Sequence, residues 1–506
     1  MASIQGVNIA FQSNHRPPAV AVGLLLALYT VLFGHCFGAR AEGNTQASAT
    51  ETLLPNPEPW LGDFAGIRER RLLRILVPYS KTIFFVDRAT LRGTAVDFGN
   101  AVVQCINRAH RLKKARSIKL IFIPTPRSRL FTDLNAGLGD IAAGNLTVTP
   151  ERMGMVDFTK AWLEGVKEVV VTGPGAPPVA TLDDLGGKKV YIRRSSSFWE
   201  HLIRINEARR AAGRSEIVLD PADEDLEGED ILEMVNAGLI PMTVVDDHIA
   251  RFWQQIFPDI TVHNDILVSD DGDIAWAVRK QSPELRAAIN NCSEQLGKEA
   301  PGLIPNVFRR YLKSVKYVVN STSREEMQKY QRLVEIFRKY ADQYDMEYLM
   351  LLAQGYQESR LDQSARSPRG AVGIMQLLPS TASAPPISIR GVDRNADNNI
   401  HAGAKYLRHL IDQYLDDPAL DEKNRLLMAF AAYNAGPGNL SRFRRLAAES
   451  GLDPNVWFYN VELAAAKIVG QETVHYVSSI YKYYIAYKAA VSEQSQAAGS
   501  ATASGQ

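Results

Sequence analysis

The sequence predicts two folded domains in one chain, an α/β domain followed by an all-helical domain. A chain of 506 residues exceeds the roughly 250 to 300 residues at which single hydrophobic cores stop growing. Strand-like and helix-like segments alternate up to about residue 300, which is typical of a largely parallel sheet covered by helices. Beyond that point the apolar residues recur only at helical spacing. We therefore expect an α/β domain over residues 69–300 and a helical domain over residues 301–490.

The first 41 residues have the composition of an export signal. An apolar run over residues 19–33 is followed by the small residues ARA at 39–41. The run is shorter than the roughly 20 residues that span a bilayer, which favours cleavage after Ala41 over a permanent anchor. Lipid attachment to Cys36 is the minor alternative, because His35 rather than a small residue precedes it. We expect a periplasmic protein whose membrane association is peripheral at most, with the outer membrane as the candidate surface.

Within the α/β region the order of segments predicts two lobes. A second series of strands and helices begins after residue 173, and the chain returns to the first series through DIAWAVRK at residues 273–280. Such an insertion implies two lobes joined by crossing strands, a geometry suited to closing on a ligand. Residues 42–68 are polar and Pro-rich and are expected to form a linker, and residues 491–506 are expected to be disordered.

Composition narrows the possible partners. Lys and Arg number 57 against 56 Asp and Glu, so no global positive field indicates nucleic acid. Cys105 and Cys292 lack the close spacing and the neighbouring histidines of a metal site, so we expect no metal and no cofactor. An exported domain can keep a disulfide between them, but two buried thiols are the favoured interpretation.

One carboxylate in the helical region has an unusual setting. Glu358 lies off the buried stripe of a predicted helix over residues 346–359, a stripe formed by Leu349, Leu352, Ala353 and Tyr356. In the last turn, the negative end of the helix dipole raises the pKa of a carboxyl group, which suits a proton donor at neutral pH. No acid occurs over residues 363–392. From charge pattern alone, a solvated glutamate at a helix end is the simpler interpretation.

Five motifs occur in one order over residues 356–477, namely YQES, SPRGAVGIMQLLPSTA, NNIHAGAKYL, AFAAYNAGPG and GQETVHYV. Together they resemble the lysozyme-like domain of lytic murein transglycosylases. The resemblance implies a helical domain that cleaves peptidoglycan, with Glu358 as the single catalytic acid and base. It implies that the substrate-binding residues are Ser359, Met375, Gln376, Tyr433, Asn434, Glu472 and Tyr476. Taken singly, the two tyrosines could be core aromatics, and Asn434 could be a helix cap or turn residue.

A single acid fits the chemistry of that family. Ordinary glycosidases use two carboxylates, the second as nucleophile or as base for water. With one carboxylate, Glu358 protonates the glycosidic oxygen and then removes the proton from the C6 hydroxyl of muramic acid. That hydroxyl attacks C1 and leaves a 1,6-anhydromuramoyl end without water or cofactor. A distant acid such as Glu472 keeps a lysozyme-like hydrolase open as an alternative.

Two stretches of the α/β region, GLGDIAAGNLTVTPERMGMVDFTKAW and GLIPMTVVDDHIARFW, resemble the family-3 solute-binding domain of periplasmic amino-acid receptors. The resemblance implies a two-lobed domain in which Arg152 binds a ligand carboxylate bidentately and Asp246 binds a ligand ammonium. An amino acid or a muropeptide from the wall would carry both groups. In RRSSSF, Ser195 replaces a glycine common in that family. Arg152 as a surface or lobe-packing arginine is the simpler interpretation.

Three functions from different classes follow. The first is a wall lyase whose activity responds to a ligand of the first domain, and its partners are peptidoglycan glycan strands. The second is a periplasmic ligand sensor whose helical domain holds glycan without cutting it. The third is a lysozyme-like hydrolase. Glu358 together with Gln376 and the AYN triplet favours the lyase.

Overall fold

The structure is a computed structural model that describes residues 58–87, 90–113, 116–299 and 324–503. The predicted export signal and the start of the helical domain lie outside these ranges. Across the described ranges, no helix combines the length and the hydropathy needed to cross a membrane. The same residues contain no cluster of three or more His, Cys, Asp or Glu side chains arranged to hold a metal ion.

The first domain is α/β, as the alternating segments predict. Its strands are β1 (Leu72–Val77), β2 (Phe85–Asp87), β3 (Thr90–Arg92), β4 (Lys119–Pro124), β5 (Ile141–Thr147), β6 (Asp157–Phe158), β7 (Leu163–Thr172), β8 (Lys189–Arg193), β9 (Val218–Ala222), β10 (Met242–Asp246) and β11 (Thr261–Val278). Its helices are α1 (Phe64–Arg70), α2 (Thr94–Ala109), α3 (Leu130–Asn135), α4 (Pro150–Met155), α5 (Ser197–Ala211), α6 (Gly228–Asn236), α7 (Asp247–Gln254) and α8 (Pro283–Glu299).

Two long antiparallel strands join the two lobes. The main sheet has the order β10-β7-β11-β5-β1-β4, with β6 paired to β11. Strand β1 is parallel to β4 and β5, whereas β7 pairs with β10 and with β11. Strands β8 and β9 form a separate parallel pair that packs beside β10. We call the part built on β1, β4 and β5 lobe 1 and the part built on β8 to β10 lobe 2. The predicted crossing strands are β7 and β11, which confirms the two-lobed architecture.

Both ends of the predicted domain map need correction. Trp60 and α1 belong to the fold rather than to a linker over 42–68, because the Trp60 backbone N–H donates to the Gly137 carbonyl and the Arg70 guanidinium lies 3.6 Å from the Trp60 ring centroid. At the other end, the last helix continues through Ala503, whereas disorder was expected from residue 491. Its terminal residues are mostly Ala, Gln, Glu and Ser, and alanine and the long polar residues have high helix propensity.

The expectation of two free thiols is also wrong. Cys105 of α2 and Cys292 of α8 form a disulfide, with their Cα atoms 5.8 Å apart. Both residues are buried where the two helices pack against each other. The bond joins residues 187 apart in the sequence, so it restricts the unfolded chain strongly.

The second domain is helical throughout its described residues. Its helices are α9 (Arg324–Gln343), α10 (Tyr348–Ser359), α11 (Pro379–Ser383), α12 (Ala396–Tyr414), α13 (Glu422–Ala435), α14 (Pro437–Glu449), α15 (Glu462–Val469) and α16 (Gln471–Ala503). Helix α10 is central, because every residue over 349–356 is buried, and it packs chiefly against α16. Helix α13 is buried over residues 426–432 and packs on the same partner.

The two domains meet through polar side chains of lobe 2 and of α16. Lys482 of α16 contacts Glu233 at 2.6 Å and Asp230 at 3.4 Å, and Lys81 of lobe 1 contacts the same two carboxylates. We call Lys81, Asp230, Glu233 and Lys482 the interdomain cluster. The Tyr481 hydroxyl donates to Asp223 close by. The helix that carries Tyr476 is therefore anchored to the first domain.

Candidate functional site

Helix α10 brings Glu358 to the surface of the helical domain. The helix ends at Ser359, and Arg360 adopts the left-handed conformation with φ 56°. The apolar stripe predicted from the sequence is buried, as expected, and the chain first becomes partly exposed at residues 357–359. Glu358 therefore lies in the last turn of a helix whose preceding two turns are fully enclosed.

Burial determines the protonation of Glu358. Desolvation raises the pKa of its carboxyl group to about 7, and the hydrogen bond from the Tyr476 hydroxyl to Oε1, 2.5 Å long, works in the opposite direction. No charged side chain of the described residues contributes to this shift. The raised pKa was expected, and burial is its main cause. At neutral pH the group is populated both as acid and as carboxylate.

The loop over residues 373–376 lies against the end of α10 and is held by side chains from three helices. The Ser359 hydroxyl donates to the Ile374 carbonyl at 2.9 Å, and the Tyr433 hydroxyl donates to the Met375 carbonyl at 2.7 Å. The Met375 N–H donates to Oδ1 of Asn399, whose Nδ2 donates to the Val372 carbonyl. These bonds fix the backbone of the loop beside Glu358.

Close packing explains the glycines around this loop. A Cβ atom on Gly403 of α12 would lie 2.6 Å from Cγ of Met375, and one on Gly373 would lie 2.4 Å from Nδ2 of Asn399. Gly373 also has φ +76°, which disfavours any residue with a side chain. The loop can approach α12 only because these positions carry no side chain.

The two predicted loop residues have different environments. The Met375 side chain is fully buried under the loop, so it presents no side-chain atom at the surface. Gln376 is partly exposed, has φ 43°, and its Nε2 donates to the Gly373 carbonyl at 2.9 Å. Of this pair, only Gln376 presents a side chain towards the surface.

The remaining predicted residues meet at the junction of α13 and α16. Asn434 is exposed at the end of α13, and its Oδ1 accepts a hydrogen bond from Thr473 of α16 at 2.8 Å. Asn434 is therefore not a helix cap. Glu472 is exposed in the first turn of α16, and Tyr476 is buried one turn later beside Glu358. The predicted set thus surrounds one face of the helical domain.

Sequence reasoning missed three residues. Gln354 donates to the Tyr476 hydroxyl, Asn399 holds the loop, and Glu200 occupies Arg152 in the first domain. Gln354 is an uncharged polar residue directly after an apolar helical run, and that anomaly was the available signal, whereas Asn399 stands in the polar run RNADNN and carried none. Glu200 carried no such signal, because its contact depends on how the lobes close.

In the cleft between the lobes, Arg152 is already engaged. Its Nε donates to Glu200 of lobe 2 at 2.9 Å, and its two terminal nitrogens donate to the carbonyls of Thr147 and Ser195 at 3.1 Å. The side chain is buried, which excludes a surface arginine. A carboxylate does meet Arg152, but it comes from the protein itself.

Asp246 faces the same cleft and is incompletely paired. Its Oδ2 accepts a hydrogen bond from Asn145 of lobe 1 at 2.6 Å, whereas Oδ1 has no hydrogen-bond partner among the described residues. Desolvation, reinforced by the charge of Glu168, raises the pKa of Asp246 to about 8. Such a group would gain from a cationic partner. Arg152, Asp246 and Ser195 line one cavity of about 80 Å³.

A second, apolar cavity of about 60 Å³ lies in the same cleft. Its walls include Phe98, Trp162 and Trp276. The Phe98 ring stacks on Trp162 with a centroid separation of 5.5 Å, and the Trp162 and Trp276 rings are tilted against each other at 5.0 Å. Both cavities are lined by Asn145, and they also share Thr82, Ile83 and Ile249. One end of the cleft is therefore lined by polar side chains and the other end by aromatic rings.

Two family models match the chain in the order of the two domains. Residues 76–313 match the bacterial extracellular solute-binding proteins of family 3. Residues 335–455 match the transglycosylase SLT domain. The second match includes Glu358, the loop and the AYN triplet, and it ends before Tyr476.

Similar proteins carry one recurring name. The membrane-bound lytic murein transglycosylase F of Desulfosudis oleivorans is 29% identical over 373 residues, covering 70% of this chain and 78% of that protein. The protein of the same name from Pseudomonas fluorescens strain Pf0-1 is 27% identical over 440 residues, covering 83% and 85%. Among solved structures, an ancestral arginine-binding protein bound to arginine is 21% identical, with a TM-score of 0.39, and the match covers 48% of this chain and 98% of that one. This chain therefore carries a region similar to the family-3 solute-binding proteins followed by a region similar to the transglycosylase SLT domain, and over most of its length it is similar to proteins named membrane-bound lytic murein transglycosylase F.

Proposed function

We propose that this chain is a peptidoglycan lytic transglycosylase that cleaves the β-1,4 bond between N-acetylmuramic acid and N-acetylglucosamine. The observation that carries the proposal is Glu358, a partly exposed carboxyl group with a pKa of about 7 that is hydrogen-bonded to Tyr476. Within the described part of the chain, no second carboxylate contributes to that pKa. The SLT domain match supports the substrate class.

The first step is protonation of the leaving oxygen. With a pKa of about 7, close to half of the Glu358 carboxyl groups carry a proton at neutral pH. The proton passes to the glycosidic oxygen while the bond between that oxygen and C1 of the muramoyl residue breaks. A donor whose pKa lies near the working pH is the efficient choice for this transfer.

The second step closes the sugar on itself. The Glu358 carboxylate, stabilised by the Tyr476 hydroxyl, accepts the proton of the muramoyl C6 hydroxyl. The C6 oxygen then forms a bond to C1, which gives the 1,6-anhydro ring. One C–O bond breaks and one forms, Glu358 regains its proton, and no water is consumed. A hydrolase would need a base for water, and no second carboxylate of the described residues is coupled to Glu358.

The remaining predicted residues would bind the glycan around this centre. Gln376, Asn434 and Glu472 are at least partly exposed and would contact sugar hydroxyl and acetamido groups. Ser359, Met375 and Tyr433 would act mainly by fixing the loop that carries Gln376.

Mass spectrometry of digested sacculi tests the reaction. Anhydro ends lack one water relative to reducing ends, so the two outcomes differ in mass for every released muropeptide. The lyase predicts anhydro ends. Reducing ends alone would indicate the hydrolase, and the absence of released fragments would favour a sensor that only holds glycan.

The first domain would bind an amino acid or a muropeptide that carries a free α-amino and α-carboxyl group. The buried, unpartnered Oδ1 of Asp246 suits the ammonium. Arg152 suits the carboxylate once Glu200 moves away, because the two carboxylates compete for one guanidinium. The aromatic cavity beside them suits an apolar side chain.

Ligand binding in the cleft would regulate cleavage. Glu229 lines the cleft, and its Oε1 accepts hydrogen bonds from the Ser80 hydroxyl and the Lys81 N–H. Lys81 belongs to the interdomain cluster, which continues to Lys482 of α16. These contacts connect the lobes to the helix that carries Tyr476. Coupling between two sites is typically about 1–3 kcal/mol and is reciprocal, so glycan in the helical domain should also tighten ligand binding.

Calorimetric titration of amino acids and muropeptides tests this part. Arg152→Ala should abolish binding, whereas Glu200→Gln should strengthen it by removing the competing charge. The cleavage rate is measured with and without the ligand that binds. If nothing binds, or if binding leaves the rate unchanged, the first domain is a scaffold or a targeting module.

Under the same proposal, the mature protein is periplasmic and is attached to the outer membrane peripherally at most. The leader composition supports export, and the relatives are named membrane-bound. N-terminal sequencing of protein recovered from the periplasm should start at Glu42. Recovery of the uncleaved chain from the membrane fraction would indicate an anchor instead.

A further inference from the structure

A buried amide lies directly behind the hydrogen bond between Tyr476 and Glu358. Gln354 is one helical turn before Glu358 on α10, and its side chain is fully buried. Its Nε2 donates to the Tyr476 hydroxyl oxygen at 3.4 Å, and that hydroxyl donates to Glu358 at 2.5 Å. Oε1 of Gln354 has no hydrogen-bond partner among the described residues. The amide nitrogen therefore contacts Tyr476 of the catalytic pair, whereas the amide oxygen makes no hydrogen bond within the described part of the chain.

Packing alone does not account for this residue. The positions before it on α10, residues 349–353, are Leu, Met, Leu, Leu and Ala, and all are buried. An unpartnered carbonyl oxygen in such surroundings is destabilising, and an apolar side chain of similar volume would avoid it. The one polar position in this stretch is also the one that reaches Tyr476.

We propose that Gln354 is a positioning residue for the cleavage reaction, which acts through Tyr476 on both protonation states of Glu358. The inference rests on the proposed function. When Glu358 is a carboxylate, the amide N–H donates to the phenol oxygen and the phenol hydrogen points at Glu358. When Glu358 is protonated, its proton can point at the phenol oxygen, and the phenol hydrogen then needs an acceptor. Rotation of the amide presents Oε1 as that acceptor.

The two states do not depend on Gln354 equally. A hydrogen bond to a carboxylate is charge-assisted and stronger than one between neutral groups, and a donor behind the phenol strengthens it further. Loss of the amide therefore weakens the carboxylate state more than the acid state. Since the Tyr476 bond lowers the pKa of Glu358, a weaker bond raises that pKa.

The test compares Gln354→Met, Tyr476→Phe and the double variant with the wild-type enzyme. Methionine keeps the length of glutamine and cannot donate to Tyr476. We expect kcat to fall about three- to tenfold and the pH dependence to move up by about half a unit. KM should stay within about twofold, because the buried amide does not touch glycan. Gln354→Leu serves as the second variant if Gln354→Met does not fold. Met350→Leu, one turn earlier on α10, controls for a change in the packing of buried side chains.

The double variant decides between positioning and structure. If Gln354 acts through Tyr476, Gln354→Met has no further effect on kcat or on the pH profile in the Tyr476→Phe background. Equal losses in both backgrounds, an unmoved pH profile, or the same loss in Met350→Leu would overturn the proposal. The products of the wild-type enzyme are identified in the same assay, so reducing ends would contradict the proposed function and leave the comparison of variants valid.

Discussion

At the scale of single residues, the proposed reaction depends on the pKa of Glu358. Most carboxyl groups titrate near pH 4 and cannot donate a proton at neutral pH. Desolvation raises the pKa of Glu358 to about 7, and the hydrogen bond from Tyr476 limits the rise. One group can therefore act as acid and then as base without a second carboxylate.

The pH dependence of kcat/KM should show this pKa. The free enzyme must carry the proton on Glu358, so kcat/KM should be level below pH 7 and fall about tenfold per unit above it. Initial rates on purified glycan strands over a pH series measure the profile. A plateau that extends two units above neutrality would assign the proton donor to another group.

Replacement of the acid should separate binding from catalysis. Glu358→Gln keeps the shape of the side chain but cannot give and then accept the proton, so turnover should fall about 10²- to 10⁴-fold with little change in glycan binding. Glu449→Gln, an exposed position at the end of α14, controls for the loss of one negative charge. Residual activity of more than a few per cent would move the catalytic acid elsewhere.

At the scale of elements, the loop over residues 373–376 depends on Asn399. Replacement by leucine would leave the buried Met375 N–H without a partner and remove the donor to the Val372 carbonyl. We expect Asn399→Leu to lower the free energy of unfolding by about 1–3 kcal/mol and to reduce activity with it. Denaturant titration measures the first effect.

The neighbouring residue provides the control for this change. Asn398 makes one exposed side-chain bond, to the Arg390 carbonyl, so Asn398→Ala should cost about 0.5 kcal/mol or less. Equal effects of the two substitutions would mean that the loop is held by other contacts.

The sequence predicts elements well where periodicity is long and regular. The α/β region with its crossing strands and the helix that carries Glu358 appear where the pattern places them. The bounds of helices α14 and α15 could not be predicted, because α14 follows α13 with only Gly436 between them and α15 begins after a tight kink with Tyr459 at φ 62°. The disulfide was missed because pairing depends on the approach of α2 and α8 rather than on spacing.

The site shows the same division. The ordered motifs placed Glu358, the loop and Tyr476 together, and in the structure Tyr476 donates to Glu358 while the adjacent Ser359 donates to the loop. The position of Glu200 on Arg152 could not be predicted, since it arises from the docking of lobe 2 on lobe 1. Local patterns therefore predicted which residues lie together in the helical domain, whereas contacts between the lobes depend on the tertiary structure.

At the scale of the whole molecule, the interdomain cluster joins the two domains. Burial raises the pKa of Asp230 and of Glu233. The ammonium groups of Lys81 and Lys482 outweigh this effect and lower the pKa of both carboxyl groups. Both carboxyl groups therefore have a lower pKa in the folded protein than in the unfolded chain. Their contribution to stability is present at neutral pH and is lost as the pH falls through the folded-state pKa values.

Removal of the Lys482 ammonium group should show how much the interdomain cluster contributes to stability. Lys482→Met would leave two buried carboxylates with Lys81 alone, and breaking a buried pair in this way costs about 3–5 kcal/mol. Denaturant titration at neutral pH measures the loss of stability. Lys488→Met, an exposed position on the same helix, should change stability by about 0.5 kcal/mol or less. A similarly small effect of Lys482→Met would contradict the ion pairs.

The central claim is that one carboxylate cuts the glycan without water. Digestion of sacculi in heavy-oxygen water, with mass spectrometry of the released muropeptides, tests it most directly. The account predicts anhydro ends that contain no heavy oxygen, formed by the wild-type enzyme and not by Glu358→Gln. Reducing ends that carry one heavy oxygen at C1 would contradict it.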